Sequence, residues 1–373
     1  MRAYKFRAYP SKKQEKEMGT HLWISKELWN ELLAFTKETY KHHDRFPTKT
    51  SMLDMAKRSG LYSQVAQQLV DRLSEAVWRK AKKKQMGFPR FKSIDRMKSL
   101  VYPQSGFFLG KKLEVTPFGD IAIKRHRETE GRIKTLTLKR EASGKWFAIF
   151  CVEQEKKQPR KNNGEKVGID LGLMNFAALS NGKIVENQRH FRKFEEKLAA
   201  CQRRASRCKK GSKNRERAKK KVARQHKKIG NCRKDFLHKL SREFVNSYSL
   251  IALEKLKPKK MAERRFGRSI NDAGWRMFAD MLAYKAEEAG CKMVFVEPKN
   301  TTKMCSACRR MVAKELQERM HNCPFCDLKM DRDINAARNI LIRATVGTTG
   351  SNASGDGAAV PSMKEDAARF IGW

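Results

Sequence analysis

The sequence is short of acid. Its 373 residues carry 40 Asp+Glu against 83 Lys+Arg, a formal charge of +43. A surface of that sign repels itself unless a polyanion covers it, so a phosphate backbone is the expected partner. Long apolar runs are also missing. The longest, WFAIFCV at 146–152, is far too short to span a bilayer, which argues against a membrane partner. The first residues, MRAYKFRAYPSKKQEKEM, are charged throughout and lack the apolar segment of a secretory signal, so a cytoplasmic, nucleoid-associated protein is expected. No C2H2 finger spacing and no RNP1 motif is present, so sequence reading by such a module is not expected. Aromatics are not lacking: 20 Phe, 7 Tyr and 6 Trp, with 40% hydrophobic residues, argue against a ribosomal or histone-like protein and for a folded one with basic faces. The length predicts two or three domains.

Nine cysteines without an export signal suggest a reducing compartment. Four form two C-x2-C pairs fourteen residues apart: Cys305, Cys308, Cys323 and Cys326. Four thiolates at that spacing predict one closed, structural zinc site with no position left for water. His321 is a rival ligand that a filled shell leaves out. Cys151, Cys201, Cys208, Cys232 and Cys291 read as small hydrophobes.

Along the chain, RAYKFRAYP alternates as a strand does. Helical periodicity runs from Ser11 to Lys41 and from Gln64 to Lys84, where Val65, Leu69, Leu73 and Val77 share a face. GFPRFKS follows as a loop presenting Phe88, Arg90, Phe91 and Lys92. Residues 99–155 read as strands with turns at PFGD and ASGK. The second half reads as an antiparallel meander (166–187), two helices up to Ser247 broken near KKGSKN, and a buried strand (249–256). A helix (271–290) with Asn271 or Asp272 as N-cap and Gly290 beyond its end comes next, then a strand (291–298) and a helix (333–345). Strands interleaved with helices predict an α/β sheet. From Gly347 the composition predicts disorder. Residues 189–242 hold 22 Lys/Arg and four acids.

Three acids end core elements: Asp170 in VGIDLG, Glu254 in LIALEKL and Asp333 in DRDINAARNIL. Each has a plain structural reading, as a turn or helix cap. Together they suggest carboxylates gathered around a hard cation, magnesium above all. A pair of such ions suits in-line phosphodiester hydrolysis.

The segments GIDLGLMNFAALSNG, LIALEKLKPKKM, NDAGWRMFADMLAYKAEEAG and CSACR…CPFCDLKMDRDINAARNIL resemble the TnpB family, transposon-encoded RNA-guided DNA endonucleases related to type V CRISPR effectors. YKFRAYPSKKQE, GFPRFKS and the tail resemble it more loosely, so the resemblance spans nearly the whole chain. It implies a RuvC-like nuclease of the ribonuclease H fold at 166–300 and 331–346, with a zinc ribbon inserted at 301–330. It implies a wedge-like β-barrel from 1–10 and 91–157, a helical recognition insertion at 11–90, a linker at 158–165 and a disordered tail at 347–373. Asp170, Glu254 and Asp333 fall on the catalytic, magnesium-binding positions. Asp331 is a rival for the third, and Asp333 is favoured because the family's acid directly precedes the x-N-A-A helix start. Guide RNA and double-stranded target DNA are the implied partners. Arg203, Arg204, Arg207, Arg215, Arg217 and Arg224, with Arg90 and Lys92, are the candidate nucleic-acid contacts. The alternatives are an unguided RuvC-like DNA nuclease or transposase-associated protein, and a binding protein whose acids are structural. The oligomeric state is left open.

Overall fold

In β1 (Arg2–Tyr9), Tyr4, Phe6 and Ala8 turn inward and the charged residues outward, the period-two pattern of a half-buried strand. The computed structural model describes residues 1–82, 87–155, 159, 162, 164–256, 261, 263, 267–315 and 318–346. The tail expected from 347 and most of the expected linker at 158–165 lie outside them. Two compact units emerge: Met1–Lys156 with Ala200–Gln225, and Lys157–Ala199 with His226–Trp373.

In the first unit β1 pairs antiparallel with β7 (Trp146–Glu153) and β5 (Gly119–Lys124). With β2 (Ser99–Tyr102), β3 (Phe107–Leu109), β4 (Leu113–Val115) and β6 (Arg132–Arg140) they make a seven-stranded sheet ordered β2-β6-β7-β1-β5-β4-β3. Three helices interrupt the chain between its first two strands: α1 (Lys12–His43), α2 (Lys49–Lys57) and α3 (Ser63–Lys82). A capping box starts α1: Ser11 Oγ accepts from the Gln14 N–H and Gln14 Oε1 accepts from the Ser11 N–H. The expected face of α3 (Val65, Leu69, Leu73, Val77) is buried. The sequence reading missed α2, which buries only Met52 and Ala56. Sheet and helices share one core.

The second unit is built on a five-stranded sheet in the order β10 (Ile184–Glu186), β9 (Asn175–Leu179), β8 (Glu165–Leu171), β11 (Tyr248–Glu254), β12 (Lys292–Val296). The expected meander is β8, β9 and β10. The strand β11 runs parallel to both β8 and β12. Two helices, α4 (His190–Arg207) and α5 (Lys213–Ser247), connect β10 to β11. Residues 200–225 of this pair, expected wholly in the nuclease half, group with the first unit.

The single helix expected at 271–290 is two: α6 (Gly267–Ala273) and α7 (Trp275–Ala289). Gly274 breaks it with φ +70°, packed against the Arg233 and Leu237 side chains. Asp272 therefore does not cap α7. It accepts from the Phe191 N–H at the start of α4 and from Arg233, both at 2.8 Å. Gly290 ends α7 in the left-handed conformation, as expected.

The last helix, α8 (Arg332–Val346), lies on the other face of the sheet. Ile340 and Ala344 pack on Leu250, Ala252 and Val296, whereas Phe244 and Phe278 of α5 and α7 join Val167, Ile169 and Ile251. Among the described residues no helix is long and apolar enough to cross a membrane.

Candidate active site

The pairing register places the first two acids. Ala252 sits opposite Gly168 and Leu253 opposite Ile169, so Asp170 and Glu254 are the next neighbours at the carboxyl ends of two parallel strands. The open end of a parallel pair is where α/β sheets present ligands. Gly168 and Asp170 share one face of β8, since side chains alternate. A Cβ on Gly168 would lie 2.1 Å from the Ala337 carbonyl oxygen and 2.9 Å from Leu341 Cβ. Residue 333 stands one turn before 337 on the same helix face. The glycine contact therefore brings Asp333 toward Asp170.

The electrostatics agree. The Asp170 carboxyl is pushed up to about 8, by burial first and by the negative charges of Glu254 and Asp333 next; Asp331 adds to the rise and Arg332 opposes it. Burial also raises Glu254, against the pull of a hydrogen bond from Thr301 and of Arg343. Asp331 has a separate task. Its Oδ1 accepts from the N–H groups of Asp333 (2.8 Å) and Ile334 (3.2 Å), so it caps α8. The capping role that the sequence left open for Asp333 thus belongs to its neighbour. Among the described residues the four cysteines alone lie close enough together to hold a metal as they stand; the carboxylates of Glu254 and Asp333 act on Asp170 by charge, and oxygen donors of that kind suit a hard divalent cation.

The four cysteines converge. Their sulfurs all lie within 4.8 Å of one another, with Cys305 to Cys326 at 3.6 Å and Cys308 to Cys323 at 3.5 Å. Sulfurs about 2.3 Å from a tetrahedral zinc would be about 3.8 Å apart, so the set fits. The two halves are alike. Arg309 and Asp327, each following the second cysteine of its pair, both take positive φ, and their N–H groups bond back to the Cys305 and Cys323 carbonyls. His321 is buried and contacts Lys314, apart from the sulfur set. A short ribbon, β13 (Met320–Asn322) with β14 (Lys329–Asp331), leads directly into α8.

Asp331 and Asp333, but not Asp170 or Glu254, line a cleft of about 810 Å³ together with Glu186, Arg189, Arg192, Lys193 and Arg319, and with Asn175, Asn187 and Gln188 among others. The sequence reading marked the 189–242 stretch as basic but selected arginines further along it, and it missed Arg319. A usable signal existed: Arg189–Lys193 follow directly on β10, in the sheet that carries Asp170. The selected Arg203, Arg204, Arg207, Arg217 and Arg224 are exposed and Arg215 is half-buried, all in the first unit. Arg90 is exposed. Lys92 is half-buried, its backbone paired with Asn30 and its ammonium over the Trp29 ring, and burial together with Arg72 lowers it to about 7.

Residues 149–265 match a family described as a probable transposase, 275–340 match a Cas12f1-like TNB domain, and 1–45 match a helix-turn-helix domain. The last falls on a strand and one 32-residue helix. A solved Cas12f1–sgRNA–target DNA complex contains a similar fold, with TM-score 0.57 and 15% identity over 88% of this chain and 83% of that one. A protein of Streptomyces pristinaespiralis provisionally named an RNA-guided DNA endonuclease is 31% identical over 95% of this chain and 91% of its own length. Another so named, InsQ of Escherichia coli K12, is 29% identical over 91% and 92%. A TnpB-like protein of Acanthamoeba polyphaga mimivirus is 24% identical over 67% of this chain, half of its own length. The chain belongs to the TnpB family. In this TnpB chain the transposase match holds Asp170 and Glu254, and the TNB match holds the four cysteines and Asp333.

Proposed function

We propose that this protein is an RNA-guided DNA endonuclease that hydrolyses target phosphodiester bonds at one RuvC-like site formed by Asp170, Glu254 and Asp333. The observation that carries the site is Asp170 itself. It is a carboxyl at a parallel-strand end, raised by burial and by two further acids from different elements. Their charges repel, and a pair of magnesium ions would relieve that repulsion. Magnesium bound there supplies charge stabilisation at the scissile phosphodiester. The chain's own residues do the rest. Arg189, Arg192, Lys193 and Arg319 draw the strand's phosphates into the cleft. The three carboxylates fix where a cation can sit, and Asp331 fixes the start of the helix that presents Asp333.

The cysteine set holds one structural zinc. The seven-stranded sheet serves as a wedge-like barrel, and its helical insertion reads the short duplex motif beside the target. The arginines of residues 203–224, with Arg90, grip the RNA–DNA hybrid by its backbone and leave base reading to the guide, while Lys92 is engaged with Trp29 and Asn30. The relatives' names support the guided reading. The transposase family match keeps an unguided, transposase-associated nuclease as the alternative. Sequencing the RNA that copurifies from cells expressing the native locus separates the two. That RNA is expected to redirect cutting to a matching duplex. Purified protein that cuts equally well without RNA would favour the alternative.

A further inference from the structure

Thr301 lies between β12 and the first cysteine, at the start of the stretch expected as the zinc ribbon. It is 2% exposed. Its hydroxyl is 2.5 Å from Glu254 Oε1 and 3.2 Å from the Pro298 carbonyl oxygen. A hydroxyl has one proton, and the shorter contact, to a carboxylate, takes it.

The threonine is itself held. Asn339 Nδ2 donates to the Thr301 carbonyl at 2.9 Å and to the Met304 carbonyl at 2.6 Å, which uses both of its N–H groups. Asn335 Nδ2 donates to the same Met304 carbonyl at 2.8 Å, and Asn335 Oδ1 accepts from the Ser306 N–H at 2.9 Å. Both asparagines are fully buried, one turn apart on α8, the helix that carries Asp333. Met304 and Ser306 flank Cys305. A continuous run of hydrogen bonds therefore joins the first cysteine pair to Glu254. A buried polar run with its donors spent on backbone carbonyls specifies one geometry, because any slip leaves groups unpaired.

We propose that Thr301 is a positioning residue for the metal-binding carboxylates. It fixes Glu254 Oε1, so that Oε2 is presented to the cation, while Asn335 and Asn339 tie it to the cysteine knuckle and to the helix of Asp333. This rests on the reading of Glu254 as a magnesium ligand. A threonine that merely closes its loop would affect stability and not metal affinity.

The test uses the full chain bound to its guide RNA. Mn²⁺ binding is followed by electron paramagnetic resonance, with the Asp170→Ala complex as the blank for RNA-bound ions, alongside zinc content and cleavage. Thr301→Val keeps the side-chain shape and removes the hydroxyl. It is expected to weaken Mn²⁺ binding about 10–100-fold and to raise the metal concentration needed for cleavage, with zinc retained. Thr301→Ser, which keeps the donor, is expected to stay much closer to wild type. Unchanged Mn²⁺ affinity in Thr301→Val overturns the proposal. If that variant fails to fold, Thr301→Ser and Thr301→Ala decide: serine binding Mn²⁺ no better than alanine overturns it as well. Glu254→Gln separates the two levels. Wild-type Mn²⁺ binding and cleavage by that variant would remove the reading of Glu254 on which Thr301 depends. A dead Glu254→Gln beside an unaffected Thr301→Val would remove Thr301 alone.

Discussion

Gly168 of β8 lies so close to Ala337 of α8 that a single added Cβ would meet the Ala337 carbonyl oxygen at 2.1 Å. The contact is backbone against backbone, so a side chain at 168 has nowhere to move. Gly168→Ala should push α8 off the sheet, at a cost of about 1–3 kcal/mol or more, and should carry Asp333 away from Asp170. Thermal melting and a cleavage assay on the purified complex check this. An alanine variant with both unchanged would mean that the glycine does not set the spacing.

Asp331 and Asp333 are two residues apart and should fail differently. Asn serves as well as Asp at a helix N-cap, so Asp331→Asn keeps α8 in place and should cost less than about tenfold in cleavage. Asp333→Asn should lower cleavage about a thousandfold or more. The reverse ranking would reassign the third carboxylate.

The pH dependence has a definite sign. Asp170 titrates at about 8 when folded and at the ordinary carboxylate value of 3.8 when unfolded. Between these values the folded chain keeps a proton that the unfolded chain has lost. Stability from this group is therefore fully present below 3.8 and is lost as the pH rises toward 8 in the absence of divalent ions. Asp170→Asn stays neutral throughout. Its melting temperature relative to wild type should rise between about pH 5.5 and about pH 8, and magnesium should narrow the gap at the upper pH. A gap independent of pH would mean that Asp170 is not held against its own charge.

Much of this site was legible in the sequence because the acids end core elements, a pattern that burial alone makes costly. Asp170 and Glu254 stood out as acids ending apolar strands, the TnpB resemblance implied their role, and the cysteine set could be read from its spacing. What was not legible depended on the third dimension. Nothing local says that Asp331 spends an oxygen on the helix amides while Asp333 does not. Gly274 read as one more residue of a helix, yet it takes φ +70° with the Arg233 and Leu237 side chains beside it, a neighbourhood that only the folded chain brings together. The arginines that line the cleft, Arg189, Arg192 and Arg319, were hidden in a chain with 83 basic residues, where charge alone discriminates little.

Removing a cysteine tests the ribbon. Cys308→Ser should lower zinc from about one per chain, destabilise residues 301–331 and slow cleavage through the displaced start of α8. Metal analysis and hydrogen exchange of that segment read the outcome. Full zinc content in the variant would contradict a four-thiolate site.

Cutting and binding, measured side by side, test the central claim most directly. The complex of the chain with its copurifying RNA is given a matching duplex in magnesium, and the same is done with Asp170→Ala. Both complexes should bind the duplex with similar affinity, and the variant should cut it about a thousandfold more slowly or not at all. Cleavage by Asp170→Ala at the wild-type rate would contradict a nuclease site built on these carboxylates.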